Sequence, residues 1–330
     1  AVWRVPGKGA SAAGVTPYRK AVEALQIHYE HAPKPAEFSV FTGEGRTPLD
    51  EATMARDIPC QAACPTGTNV PEYIRQLVLK NPDGAYRVNQ EANVFPGVLG
   101  RICTRPCEAA CRHQWTNTEG PVTICHLKRA SADTKSQAAE PLPPWFDEST
   151  GKRVAVIGGG PAGLAAAREL TRLGHSIALF DREPVLGGQM AWGIPQFRLP
   201  RRIVQEEVQA VVDGGVEVHV NEDVDRGRLE QMAVDYDAVL VAAGAIRGIE
   251  LKMDGLEEGA AVVSGYDFMK AYNTGDPIPV DGDVVVIGGG FTAVDCARAA
   301  RRLLSGEHRV TAIMYRRGEE HMSASPDEIW

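Results

Sequence analysis

The sequence predicts an α/β chain: a helical N-terminal region, then two copies of a strand–turn–helix–strand unit, the second incomplete. Three observations carry this. Residues 153–183, RVAVIGGGPAGLAAARELTRLGHSIALFDRE, open with a continuous apolar run, break at glycines and resume with helical periodicity. A strand buried on both faces in a parallel sheet reads as such a run, without alternation. The pattern recurs from residue 283 as DVVVIGGGFTAVDCARAARRLLSGEHRVTAIMYRR. Six of the seven cysteines fall between 60 and 125, in a stretch with helical patterns and no strand signal.

The 330 residues suffice for two or three domains. With 44% hydrophobic and 24% charged residues the composition is that of a soluble protein. A net charge of -8 argues against a nucleic-acid partner. No apolar run approaches the ~18 residues of a membrane span. The opening AVWRVPGKGASAAG lacks the apolar core of a secretory signal. A cytoplasmic location is therefore expected.

Five segments follow in order. Residues 1–45 read as an arm with one helical stretch, YRKAVEALQIHYEHA. Residues 46–135 form a helical, cysteine-rich domain with patterns such as VPEYIRQLVLKN and GAYRVNQEANVFPG. The Pro-rich, polar residues 136–152 read as a linker. Residues 153–275 form the first complete unit, to which VEVHVN and YDAVLVAAGA add further strands. Residues 276–330 form the second, partial unit.

In the first unit Gly158, Gly160 and Gly163 make the G-x-G-x-x-G pattern between a strand and a helix. The first glycine allows the tight turn, the second lets backbone approach a pyrophosphate, and the third lets helix and strand pack closely. The helix N-terminus offers unpaired N–H groups and positive dipole to phosphates. Asp181, ending the next strand, is placed to accept hydrogen bonds from ribose hydroxyls. In the second unit the positions are Gly288, Gly290 and Ala293, an accepted variant. Its second strand ends not in an acid but in Tyr315-Arg316-Arg317. Guanidinium groups bind a 2′-phosphate that a carboxylate would repel, which favours NADP over NAD. The competing reading is a solvated strand end, since His308 and Arg309 make this hairpin basic anyway. Two Rossmann-like units suggest one site for FAD and one for a nicotinamide, with hydride passing from nicotinamide C4 to flavin N5. That step needs stacking and orientation more than an acid or base, so no catalytic side chain is nominated.

Clustered cysteines in a chain that does not look secreted favour metal or redox chemistry over structural disulfides. Zinc accepts four thiolates as readily as iron–sulfur clusters do. A thioredoxin-like redox pair is disfavoured because no C-x-x-C occurs. The seventh cysteine, Cys296, sits in the helix after the second glycine turn and reads as core packing.

Seven stretches carry a resemblance over residues 46–330: DIPCQAACPTGTNVPEYI, PGVLGRICTRPCEAACRH, VAVIGGGPAGLAAARELTRLGH, LGGQMAWGIPQFRLPRRIV, YDAVLVAAGA, VVVIGGGFTAVDCARAA and MYRRGEEHMSAS. Together they resemble the small, flavin-containing subunit of glutamate synthase and its relatives. These include the N-terminal part of dihydropyrimidine dehydrogenase and the NADPH-binding subunits of bifurcating transhydrogenases. The resemblance implies electron transfer from NADP(H) or NAD(H) through FAD and a [4Fe–4S] cluster. The other end of the chain of carriers would be a partner subunit or a ferredoxin-like or other iron–sulfur acceptor or donor. It implies FAD contacts at Gly158, Gly160, Pro161, Ala162, Gly163, Asp181, Arg182, Gly187, Gly188, Gln189, Trp192, Gly193, Ile194, Arg198, Ala243 and Gly244. It implies nicotinamide contacts at Gly288, Gly290, Phe291, Thr292, Arg316 and Arg317. Phe291 stands where the family usually has Asn.

By the same resemblance Cys64, Cys103 and Cys107 share a cluster. The fourth ligand of relatives falls at Lys128, and Cys125, three residues earlier on the same helix face, takes its place. Cys60 and Cys111 are left as a second, incomplete set, because the further pair used by two-cluster relatives falls at Ala52 and Ala55. One complete [4Fe–4S] cluster is expected. The alternatives to an electron-transfer subunit are a non-catalytic FAD-binding assembly subunit and a stand-alone flavin disulfide reductase. Because the second unit stops at Trp330 soon after its second strand, a longer chain or a covering partner is also expected.

Overall fold

The computed structural model describes residues 58–116, 120–136, 142, 148–245, 262–280, 282–304, 311–324 and 328. The expected arm, Ala52 and Ala55, most of the linker, and His308 with Arg309 lie outside the described residues. The chain divides into two compact units, Ala1–Pro143 and Pro144–Trp330. Among the described residues no helix is long and apolar enough to cross a membrane.

The first unit is helical: α1 (Pro59–Ala62), α2 (Val70–Val78), α3 (Pro82–Ala92), α4 (Pro96–Ile102), α5 (Pro106–Ala109), α6 (Arg112–Thr116) and α7 (Ile124–Thr134). Five of these start with proline in the first turn, where its missing N–H costs nothing and its fixed φ suits the helix. Asn69 and Asn81 cap α2 and α3 by accepting from Glu72 N at 3.2 Å and Gly84 N at 3.0 Å. The core joins Val70, Tyr73 and Leu77 of α2 to Cys107, Ile124 and Leu127. Tyr73 is fully buried and donates its hydroxyl to the Ile124 carbonyl at 2.9 Å, which ties α2 to the start of α7. Helices α4 and α7 meet at Gly100, where a Cβ would come within 2.7 Å of the Arg129 backbone.

The second unit holds two parallel sheets. The larger has the order β3-β2-β1-β4, from β1 (Arg153–Ile157), β2 (Ser176–Asp181), β3 (Glu217–Val220) and β4 (Ala238–Val241). Helices α8 (Pro161–Arg172), α9 (Gln189–Trp192), α10 (Arg201–Val212) and α11 (Arg226–Asp235) connect and cover these strands. The registers Ile157↔Phe180 and Ile157↔Val241 bring the C-terminal ends of β1, β2 and β4 side by side. This is the crevice between strands reached in opposite directions from β1, where open α/β sheets bind ligands. After α12 (Gly265–Thr274), the smaller sheet pairs β5 (Val284–Ile287) with β6 (Thr311–Met314) around α13 (Phe291–Leu303).

The unalternated runs of β1 and β2 are buried as expected, with Ala155, Val156 and Leu179 wholly inaccessible. The equally apolar β4, β5 and β6 are not: Val241 and Met314 are each 61% exposed, and Val285 and Ile287 about as open. Strand composition records what a strand is built to face. Among the described residues, little packs on those faces.

Candidate functional site

The turn after β1 is shaped by its glycines. Gly158 adopts φ +108°, and a Cβ there would strike the Ala242 carbonyl at the end of β4. A Cβ on Gly163 would overlap the Gly158 carbonyl, so the third glycine brings α8 onto the strand. Gly160 differs: a Cβ would meet nothing nearer than Gly188 Cα at 3.8 Å, which leaves its surface open for a ligand. Helix α8 starts at Gly160 without a side-chain cap, and Pro161 and Ala162 lie exposed on its first turn. Unpaired N–H groups at an uncapped helix start are the donor set a pyrophosphate needs.

Asp181 is stitched to this turn. Its Oδ2 accepts from Gly159 N at 2.6 Å and its Oδ1 from Glu183 N at 2.8 Å. Each oxygen keeps a second lone-pair direction for a ribose hydroxyl. Gly187 N donates to the Gly159 carbonyl at 2.8 Å, and a Cβ on Gly188 would come within 2.8 Å of Gly160 Cα. The two glycine segments therefore pack backbone on backbone. Ala242 N donates to Ile157 O at 2.7 Å, which carries Ala243 and Gly244 alongside Gly158. Arg182 lies 3.8 Å from Glu183.

The segment expected at the flavin follows α9. The Gln189 side chain folds over Gly193, filling the space a Cβ would take. The Trp192 indole N–H is buried without a protein partner among the described residues, which fits a group bound there. Two residues that sequence reasoning missed fasten this loop. Arg201 donates to Met190 O at 2.7 Å and Ile194 O at 2.8 Å, and burial lowers its pKa to about 10. Asn273 donates to Trp192 O at 2.8 Å and Ile194 O at 3.2 Å. Arg201 stands within a quoted motif, but nothing in the sequence distinguishes it from its neighbours. Asn273 is 79 residues from Ile194, and only the tertiary structure joins them.

Arg198, expected near the flavin, is drawn toward α13. It pairs with Asp295 Oδ2 at 3.0 Å, lies 3.6 Å from Glu328 Oε1, and stacks over the Phe291 ring at 5.5 Å. Burial pushes the Asp295 carboxyl up to about 6, with Arg198 pulling the other way.

The second glycine turn has the same construction. Helix α13 starts at Gly290 without a side-chain cap, followed by Phe291 and Thr292. The Tyr315 ring lies where a Cβ on Gly289 would be, 2.8 Å from its nearest carbons, and so delivers Arg316 and Arg317 beside the turn. Both arginines are exposed, and Arg317 donates to the Tyr315 hydroxyl at 2.5 Å. Ala324 N donates to Gly289 O at 3.2 Å, bringing Ser323 to the same place, another contact that spacing did not reveal.

In the first unit, the thiols sit on four adjoining segments. Cys103 ends α4 and accepts from Arg105 N at 3.4 Å. A hydrogen bond from the Cys125 thiol, followed by Arg105 N and the Lys128 charge, lowers Cys103 to about 6 against its burial. The same pairing, with burial, raises Cys125. Burial raises Cys107 to about 12, with Glu108 and Cys103 adding to it. Burial opposes ionisation of Cys64, but hydrogen bonds with the Thr66 and Thr68 hydroxyls, at 3.3 and 3.2 Å, outweigh it and lower its pKa. Cys60 is raised to about 11 by burial and by neighbouring Cys111. Lys128, only 6% exposed on α7, favours the thiolate forms of Cys103, Cys107 and Cys125. Among the described residues no three Cys, His, Asp or Glu side chains converge on a single ion. A cubane cluster spreads its four thiolates wider than one ion does, and an all-thiol donor set fits it.

An open apolar hollow of about 750 Å³ lies elsewhere, lined by Lys152, Val154, Leu170, His175, Asp237 and Leu240 among others. Lys152 and Asp237 mark the starting ends of β1 and β4, opposite the glycine turn, and none of the expected cofactor residues reaches it.

Residues 152–328 match the pyridine nucleotide-disulphide oxidoreductase family. The chain belongs to this family. Residues 52–140 of the oxidoreductase also match dihydropyrimidine dehydrogenase domain II, 4Fe–4S cluster. It is 34% identical over 295 residues to the NADP(+)-dependent formate dehydrogenase subunit beta of Moorella thermoacetica, covering 82% of this chain and 41% of that one. It is 36% identical to the small chain of NADPH glutamate synthase from Azospirillum brasilense, covering 82% and 58%. It is 33% identical to the NAD-dependent dihydropyrimidine dehydrogenase subunit PreT homolog of Salmonella typhi, covering 78% and 64%. The oxidoreductase thus spans about two-fifths to two-thirds of the length of these relatives. Its cofactors are FAD, NAD(P)H and a [4Fe–4S] cluster, which closes the choice between iron–sulfur and zinc left open by the cysteines.

Proposed function

We propose that this chain is the electron-transfer subunit of a larger redox enzyme, exchanging electrons between NAD(P)H and a partner catalytic subunit through FAD and one [4Fe–4S] cluster. The observation that supports this best is the union, in one chain, of two uncapped glycine-turn helices with a unit of clustered, buried or half-buried thiols. The relatives, themselves subunits or small chains of larger enzymes, support a partner.

The residues have separate tasks. Gly158, Gly160 and Gly163 with the start of α8 hold the FAD pyrophosphate, and Asp181 receives the ribose. Gly187, Gly188 and the Trp192–Ile194 loop border the ring. Gly288, Gly290 and Thr292 take the nicotinamide nucleotide, with Arg316 and Arg317 at a 2′-phosphate. Bound flavin supplies the conversion between a two-electron hydride and single electrons. Cys64, Cys103, Cys107 and Cys125 ligate the cluster, and Lys128 offsets part of their collective negative charge. Cys60 and Cys111 remain thiols.

The test is an iron count per flavin followed by anaerobic titration with NADPH, then NADH, read by absorbance. Flavin bleaching with about four irons per flavin is the expected result, with NADPH the better reductant if Arg316 and Arg317 select it. Flavin that stays oxidised with either nucleotide would leave an assembly subunit. Flavin without iron would favour a disulfide reductase, and iron near twice the expected value would mean a second cluster that needs ligands beyond Cys60 and Cys111.

A further inference from the structure

Helix α12 touches both nucleotide sites. Its first residue, Gly265, abuts α13: a Cβ there would come within 3.2 Å of Thr292 Cγ2 and 3.4 Å of Cys296 Sγ. Thr292 belongs to the turn assigned to the nicotinamide nucleotide. Along the helix, Met269 continues the contact by packing on Cys296 and Ala299 of α13. Eight residues from Gly265, about 12 Å along the axis, comes Asn273. It is 9% exposed, and its amide N–H₂ donates to the Trp192 and Ile194 carbonyls of the flavin-side loop. The amide can face only this way, because its own oxygen cannot bond two carbonyl oxygens. The Ile194 carbonyl is shared with Arg201, so the loop is gripped from α10 on one side and α12 on the other.

We propose that Asn273 is a positioning residue that fixes the flavin-side loop and, through α12, ties the loop's placement to the nicotinamide turn. The proposal rests on the assignment of the two turns to FAD and nicotinamide. A helix of ten residues, packed along most of its length, moves as one body. A shift of the α13 start on nucleotide binding is therefore felt at Asn273, and any such coupling must run equally in reverse.

Three readouts on the complete protein test this, comparing wild type with Asn273→Asp, Asn273→Leu and Asn273→Gln. They are FAD affinity, the shift of the oxidised flavin spectrum on adding NADP⁺ or NAD⁺, and amide exchange at Met190–Ile194 in flavin-free protein. The Leu variant removes the donor outright, and the Asp variant removes both N–H donors and keeps at most one O–H when protonated. They are expected to weaken FAD binding about tenfold, abolish the spectral shift and speed exchange in the loop. The Gln variant keeps the donor and is expected to retain part of each. Leu carries the test if the buried carboxylate of the Asp variant prevents folding. Wild-type FAD affinity and loop exchange in both donor-less variants would overturn the proposal, as would a wild-type protein showing no shift with either nucleotide. Failure of the functional reading looks different: wild-type flavin would stay oxidised with NADPH and NADH, whatever the variants do to the loop.

Discussion

Gly160 and Gly163 share a motif but are small for opposite reasons. At Gly163 a methyl group would overlap the Gly158 carbonyl, whereas at Gly160 it would make only an ordinary contact with Gly188 Cα, and Gly160 has φ -80°, which any residue adopts. Gly163→Ala is therefore expected to cost roughly 1–3 kcal/mol of stability by overpacking, with FAD binding lost as a consequence. Gly160→Ala is expected to leave stability within about 0.5 kcal/mol of wild type yet weaken FAD binding sharply, because its methyl would fill the space proposed for the pyrophosphate. Denaturant melts of the flavin-free variants beside FAD titrations check this. Equal stability losses at both positions would contradict it. Both glycines were legible from spacing, as was Asp181. That Asp181 also staples the turn through Gly159 N was not, since a motif records residue types and not which lone pairs are already engaged.

At the scale of elements, the strands, helices and their order were readable, because period and glycine punctuation are local signals. The link between the loop after α9 and helix α13 was not. It runs through Arg198 and Asp295, nearly a hundred residues apart, in a buried ion pair beside Phe291. Burial raises Asp295 from its ordinary 3.8 to about 6. Between those values the folded state holds a proton that the unfolded chain has released. Stability from this group is therefore full below the unfolded value, falls as pH rises from about 4 through 6, and is level above. The stability difference between wild type and Asp295→Asn should change across pH 4–6 and stay constant from pH 7 to 8, as read by urea denaturation. A difference independent of pH would show that Arg198 cancels the effect of burial, so that Asp295 titrates alike in the folded and unfolded chain.

For the whole molecule, the two compact units have separate cores, one built around Tyr73 and Leu127, the other around Leu179 and Phe180. Loss of the cluster should therefore spare the flavin. Cys107→Ser is expected to lower iron per chain by at least half while FAD per chain stays near wild type, measured by iron analysis and flavin absorbance. Loss of both in proportion would mean that the units fold as one. Cysteine positions were plain in the sequence, but their unequal environments were not. A hydrogen bond from Cys125 lowers the pKa of Cys103, while burial raises that of Cys107, four residues on.

By itself the sequence determined the α/β class, the helical cysteine unit, both glycine turns and the family resemblance that the comparisons bear out. Each depends on residues within one turn or one strand–turn–helix step, where spacing dictates geometry. Only the tertiary structure decided that Asn273 and Arg201 grip the loop after α9, that Arg198 reaches Asp295, and that Tyr315 and Ser323 close over the second turn. Most of those contacts join residues far apart in the chain, and even the short reach of Arg201 to Ile194 runs within no single helix or strand. Their energies depend on burial and direction, which no local pattern encodes.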